Sequence, residues 1–246
     1  MQHRSKKIKK SFFIILVVLI VLSGGSAIYL GNYYHSVDVE KYMNGSSEVS
    51  VEKFDKGWFF DGAGEEKALI FYPGAKVATE AYAPLMYQLA ESGIDCFLVD
   101  MPFHMAFFGM NRAEEIMQEY NYEAWYLGGH SLGGAMAANF VAGYVEDHAD
   151  GIRGLLLLAA YPTKDLSTSD MSVVTVYGSE DGVLNMDKIV AGRELMPQDY
   201  KEVCIEGGNH AQFGSYGAQK GDGTAAFPAE EQWTRTVEVF VGDESE

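Results

Sequence analysis

The sequence predicts an α/β fold, a mainly parallel sheet with helices on both faces, preceded by one membrane-spanning helix. Three observations predict it. From about residue 48 onward, short apolar runs alternate with segments of helical period, the pattern of strand-helix-strand units. One run, Ile152 to Ala160, carries four consecutive leucines, as a strand buried on both faces does. Ahead of this domain, Phe12 to Leu30 is a largely apolar run of 19 residues.

A helix over that run is about 28 Å long, close to the thickness of a bilayer's hydrocarbon core. No Asp, Glu, Lys or Arg occurs from Ser11 to Val37, and Arg4, Lys6, Lys7, Lys9 and Lys10 precede it. Basic residues stay on the cytoplasmic side, so the N-terminus is expected inside and the rest exported. Tyr29, Tyr33 and Tyr34 then fall at the outer interface. A signal peptide cut near Gly25-Ser26-Ala27 is the alternative, with the domain then secreted; the length of the apolar stretch favours a retained anchor. The expected divisions are 1–35, basic tip and anchor (or signal peptide); 36–47, a tether; and 48–246, the α/β domain.

The net charge of −17 includes +5 in the first ten residues, so the remainder carries −22. Such a surface disfavours nucleic acid and anionic lipid as partners of the folded domain. Asn44-Gly45-Ser46 fits a glycosylation sequon, a triplet that also occurs by chance.

Within the domain, Glu48 to Phe54 alternates with period two and Trp58 to Phe60 follows, an antiparallel hairpin at a sheet edge. Lys67 to Tyr72 is an apolar strand ending at Pro73-Gly74. Val77 to Ser92 reads as a helix burying Tyr82, Leu85, Met86 and Leu89, stopped by Gly93. Ile94 to Val99 is a strand, Asn111 to Tyr120 a short helix, Ala124 to Leu127 a strand, and Ser131 to His148 a helix. Ser172 to Tyr177 and Tyr200 to Ile205 are strands flanking a helix, Met186 to Leu195. Glu230 to Val241 closes the chain as an amphipathic helix with Trp233, Val237, Phe240 and Val241 on one face. Cys96 and Cys204 lie in strands expected far apart in the sheet, so two thiols are expected rather than a disulfide.

Gly129-His130-Ser131-Leu132-Gly133 is a G-x-S-x-G pentapeptide between a strand and a small-residue helix start. A serine on so sharp a turn needs small residues two before and two after it, and glycines stand at both places. Ligands of parallel sheets bind beyond the carboxyl ends of the strands, so partners for Ser131 are sought in post-strand loops. Gly178-Ser-Glu-Asp-Gly182 offers Asp181, with Glu180 the weaker acid, and Glu206-Gly-Gly-Asn-His210 offers His210. The order Ser131, Asp181, His210 is that of nucleophile-elbow hydrolases and excludes the chymotrypsin and subtilisin orders. The chemistry needs each type: an imidazole to take the serine proton, a carboxylate to fix its tautomer.

The oxyanion hole is expected from the N–H groups of Leu132 and Ala75, the latter beside Gly74. His104, Gln212 and Phe213 are candidate pocket residues, within the bordering stretches 101–110 and 211–227; the second of these is expected to shape the acyl or alcohol site. His130 is expected to pack beside the elbow without a catalytic role. No Cys/His cluster has metal spacing, and neither a P-loop nor a dinucleotide fingerprint occurs, so neither cofactor nor metal is expected.

On these phrases, together with Phe71-Tyr-Pro-Gly-Ala-Lys-Val77 and Gly207-Gly-Asn-His-Ala-Gln-Phe-Gly214, the chain resembles the α/β-hydrolase superfamily, and within it the small bacterial dienelactone-hydrolase-like proteins. The resemblance implies an eight-stranded, mostly parallel sheet and a triad of Ser131, Asp181 and His210. Dienelactone hydrolases use cysteine where Ser131 stands, so their lactone substrate does not carry over. The small relatives more often have Asn where His104 stands. Only a short link separates Ala160 from Ser172, which leaves no room for a cap domain. The expected function is a membrane-anchored, extracytoplasmic serine hydrolase cleaving small carboxylic esters through an acyl-enzyme. The alternatives are a surface acyltransferase or peptidase with the same triad, or a hydrolase-like scaffold that only binds.

Overall fold

The structure, a computed structural model, describes residues 31–148 and 151–243. The expected membrane span therefore lies outside the described residues; among those described, no helix is long and apolar enough to cross a membrane. The chain divides into two units, Met1–Tyr33 and Tyr34–Glu246, and the second contains the whole sheet.

The eight strands of that unit are β1 (Ser50–Phe54), β2 (Gly57–Asp61), β3 (Lys67–Tyr72), β4 (Asp95–Val99), β5 (Ala124–His130), β6 (Gly154–Leu158), β7 (Ser172–Gly178) and β8 (Tyr200–Ile205). They form one sheet in the order β1-β2-β4-β3-β5-β6-β7-β8. β1 and β2 make the expected antiparallel hairpin, β2 pairs β4 antiparallel, and β3 to β8 are parallel. From β3 the chain steps to one neighbour, β4, and then across to the other, β5. The carboxyl ends of β3 and β5 thus flank the crevice where parallel sheets bind ligands.

Side chains alternate across the pleat and so divide the apolar strands between two cores. Leu69, Phe71, Leu98, Leu156, Leu158, Val174 and Val176 face one side, with Leu85, Met86 and Leu89 of α2 (Ala83–Glu91) and Trp233, Val237 and Phe240 of α6 (Ala229–Asp243). Ala68, Ile70, Tyr72, Phe97, Leu127, Leu155 and Leu157 face the other, with Ile116 of α3 (Arg112–Glu119) and Ala137, Phe140 and Val141 of α4 (Leu132–Asp147). Each fully buried Leu, Ile or Phe contributes about 1.5–3 kcal/mol, which makes this two-sided sheet the rigid element of the unit.

The segment expected as a tether, residues 36–47, is packed. A short helix, α1 (Glu40–Met43), buries Tyr42 edge-on against Trp233, ring centres 6.0 Å apart, and Val39 is buried beside it. Tyr34 N–H donates to Lys76 O at 2.7 Å, and Tyr34 O accepts from Ala78 N–H at 2.8 Å. The folded unit therefore begins at Tyr34, ahead of the expected boundary at residue 48, because Val39, Tyr42 and Met43 repeat at helical spacing and find apolar partners.

The expected helix from Val77 to Ser92 is split into a 3₁₀ turn, Thr79–Tyr82, and α2, with Pro84 in the first turn where its missing N–H costs nothing. The helix after β7 is α5 (Met186–Gly192), continued as a 3₁₀ turn, Arg193–Leu195. Cys96 and Cys204 are both free; five strand spacings separate them, about 24 Å, far beyond disulfide reach.

Candidate active site

Ser131 sits between β5 and α4 with φ 54 and ψ −121, a conformation that side-chain-bearing residues adopt only when held. Two backbone bonds hold it: Ser131 N–H to Leu158 O at 2.9 Å and Ala135 N–H to Ser131 O at 3.1 Å. The flanking glycines are steric necessities. A Cβ at Gly133 would stand 2.1 Å from Tyr72 O, and one at Gly129 would stand 2.6 Å from the Gly133 carbonyl carbon.

The loops after β7 and β8 bring Asp181 and His210 together. Asp181 Oδ2 lies 2.8 Å from His210 Nδ1, both side chains only 2% exposed. Asp181 Oδ1 accepts N–H bonds from Val183 at 2.8 Å and Leu184 at 2.7 Å, so the carboxylate cannot swing away from the imidazole. Glu180, the weaker candidate, is exposed and takes the Ser179 hydroxyl. With Nδ1 engaged, Nε2 is the remaining nitrogen of His210, and it is buried without a hydrogen-bond partner. The His210 ring lies 4.4 Å, centre to centre, from that of His130, the residue before Ser131. The elbow, the imidazole and the carboxylate thus share one corner at the carboxyl ends of β5, β7 and β8.

Two backbone donors there are uncommitted. In the loop after β3, Gly74 N–H is bonded to Tyr82 Oη at 3.0 Å and Lys76 N–H to His104 O at 2.8 Å. Between them, Ala75 N–H donates to nothing among the described residues, and the same holds for Leu132 N–H at the first turn of α4.

Three connections invisible in the sequence hold this arrangement. Asp222, in the long loop after β8, accepts backbone N–H bonds from Gly182 at 3.1 Å, His210 at 3.2 Å and Gly223 at 2.9 Å on Oδ1, and from Ala211 at 2.8 Å on Oδ2. One carboxylate so ties the Asp181 loop to the His210 loop. Gln232 of α6 is fully buried and clasps the backbone of Asn209, accepting its N–H at 3.0 Å and donating to its O at 2.8 Å. Tyr82, also fully buried, joins Gly74 to His130 Nδ1, 2.7 Å from its hydroxyl. Burial raises the Tyr82 pKa, so the phenol keeps its proton. Burial, and then the neighbouring His210, push His130 well below its usual pKa, so it stays neutral beside the His210 imidazole.

The expected pocket residues are placed differently from one another. Phe213 is fully buried and packs on His130 with ring centres 5.6 Å apart, so it lines no open pocket. Gln212 is half-buried, its amide donating to Phe227 O at 3.1 Å. Both turn inward because the chain after His210 coils into a 3₁₀ turn, Ala211–Phe213. His104 is half-buried, its pKa lowered mainly by burial, and it braces the loop after β3 through the bond from Lys76. No metal-holding cluster occurs among the described residues. A cavity of about 540 Å³ lined by Glu146, Arg153, Asp165 and Asp199 opens at the amino ends of the strands, the opposite edge from Ser131.

Solved structures of similar fold include Est1E from Butyrivibrio proteoclasticus (15% identity, 81% of this chain and 100% of that one, TM-score 0.57). They also include carboxylesterase CesB (YbfK) from Bacillus subtilis (9%, 83% and 96%, TM-score 0.56). An esterase/lipase from an uncultured bacterium is a third (11%, 85% and 89%, TM-score 0.59). No curated protein matches the sequence. The family model described as "Alpha/beta hydrolase family" matches residues 68–234, from β3 into α6 and across the elbow and both partner loops. The chain belongs to the alpha/beta hydrolase family.

Proposed function

We propose that this protein is a serine hydrolase of carboxylic esters that works through an acyl-enzyme, within the small dienelactone-hydrolase-like branch of its family. The observation that carries the reading is the buried His210–Asp181 pair at 2.8 Å beside the Ser131 elbow. Ser131 Oγ attacks the ester carbonyl as its proton passes to His210 Nε2. The carbonyl oxygen becomes an oxyanion that accepts the N–H groups of Ala75 and Leu132, each such donor worth about 10²–10³ in rate. The intermediate collapses, and the departing alkoxide takes the proton back from Nε2. Water then repeats the sequence on the acyl-serine, releasing the acid and restoring Ser131.

Asp181 holds Nδ1–H in place and stabilises the imidazolium; at 2% exposure water screens that attraction little. Neutral His130 adds no repulsion to it. Ester chemistry is supported by the neighbours described as carboxylesterase and esterase/lipase. Among the described residues the link from β6 to β7 forms no helix, so no helical cap is inserted there. We place the catalytic unit outside the cytoplasmic membrane, held by Phe12 to Leu30. Stopped-flow hydrolysis of a short nitrophenyl ester tests the chemistry: a burst of nitrophenol equal to the enzyme concentration is expected, absent in Ser131→Ala. Steady release without a burst, equal in Ser131→Ala, would refute it.

A further inference from the structure

The stretch 101–111 after β4 carries no charged residue in a chain that is otherwise strongly acidic. It presents Phe103, Phe107 and Phe108 at 58%, 47% and 54% exposure, the three exposed phenylalanines among the described residues. They touch one another, Phe103 to Phe108 at 5.6 Å and Phe107 to Phe108 at 4.2 Å between ring centres. Phe103 and His104 have φ 56 and 54, a paired left-handed turn held by the bond from Lys76 N–H to His104 O. Left-handed backbone at two non-glycine residues is costly, so the fold spends stability on turning Phe103 toward solvent. The turn Ala106–Phe108 packs against α4, the helix that begins at the elbow.

The start of the folded unit is fixed at the same place. Tyr34 is bonded to Lys76 and Ala78, and Lys76 is bonded to His104. Only Gly31, Asn32 and Tyr33 separate Tyr34 from the apolar run ending at Leu30. Four residue steps span at most about 14 Å, so an anchor over that run would tether Tyr34 within about 14 Å of its end.

We infer that Phe103, Phe107 and Phe108 insert into the outer leaflet, and that Ser131 acts on esters carried by membrane lipid. This rests on the anchored serine-hydrolase reading above. Insertion is apolar rather than electrostatic, since the stretch has no cation to meet an anionic headgroup. The rings sit at the same sheet end as Ser131, so a lipid ester reaches the elbow without leaving the bilayer surface.

The test uses the full chain carrying Phe107→Trp, reconstituted in phosphatidylcholine vesicles with brominated acyl chains. Quenching of the added indole, beyond that of the parent chain, is expected. An alkaline carbonate wash of the same vesicles reads the anchor, and fluorophosphonate labelling of Ser131 reads the serine chemistry. A chain that resists the wash without added quenching overturns the insertion and leaves the anchor standing. A chain that washes off overturns both. In a second arm, Phe103→Ser/Phe107→Ser/Phe108→Ser is expected to lose about ten-fold or more of its turnover of a vesicle-borne lipid ester, with a soluble acetate ester unchanged. An equal fall on both esters would assign the rings to the site itself and overturn the inference.

Discussion

Removing the Asp222 carboxylate should disable His210 without touching it. In Asp222→Ala, four backbone N–H groups lose their acceptor, and three of them, at Gly182, His210 and Ala211, belong to the loops that carry the acid and the base. Bonds to a charged acceptor are worth about 1.5–3 kcal/mol each when buried; these are at most half-buried, so water recovers part, leaving about 2–4 kcal/mol in all. At about 2–4 °C per kcal/mol the melting temperature should fall about 5–15 °C. The larger effect is on rate, because a misplacement of about 1 Å costs on the order of 10²-fold.

Asp222→Asn separates geometry from charge. Three of the four N–H groups meet Oδ1, so an amide oxygen placed there keeps three bonds and sets an NH₂ only against Ala211. The asparagine variant should therefore retain most activity and stability. The assay is kcat/KM for a soluble ester beside thermal unfolding by circular dichroism. Asp222→Ala with parental kcat/KM, or Asp222→Asn as impaired as Asp222→Ala, would refute the clamp.

Tyr82→Phe leaves Gly74 N–H and His130 Nδ1 unpaired in the interior, so it should cost about 2–4 kcal/mol in urea unfolding and lower kcat more than it raises KM. Gly133→Ala should yield no soluble folded protein in a gel-filtration assay, since its Cβ would lie 2.1 Å from Tyr72 O. His130 has its folded-state pKa depressed, so below its ordinary value of 6.5 the unfolded chain binds the extra proton. Stability should then fall as pH drops through about 6.5, with a slope of up to about 1.4 kcal/mol per pH unit; His130→Gln should flatten that limb in pH-dependent denaturation.

The elbow is legible in the sequence because its causes are local: a strand, a helix and glycines at two fixed offsets dictate the turn. The meeting of Asp181 with His210 is legible because a parallel sheet places the loops after its strands at one end. Asp222, Gln232 and Tyr82 are not, because each acts on backbone atoms 8 to 40 positions away, and backbone bonding leaves no trace in residue type. The packed segment from Tyr34 to Met43 carries a faint signal, three apolar residues at helical spacing, outweighed by the polar residues around them. Gln212 and Phe213 follow His210 and so read as pocket residues, whereas the 3₁₀ turn there points Phe213 at the core.

The central claim is that Ser131 is an activated nucleophile served by His210. Mass spectrometry of the full chain after fluorophosphonate treatment, beside Ser131→Ala, His210→Ala and Asp181→Asn, tests it most directly. The expected result is one adduct on Ser131 in the parent chain, none in Ser131→Ala or His210→Ala, and slowed labelling in Asp181→Asn. A folded parent chain that takes no adduct, or a His210→Ala chain labelled as fast as the parent, would contradict it.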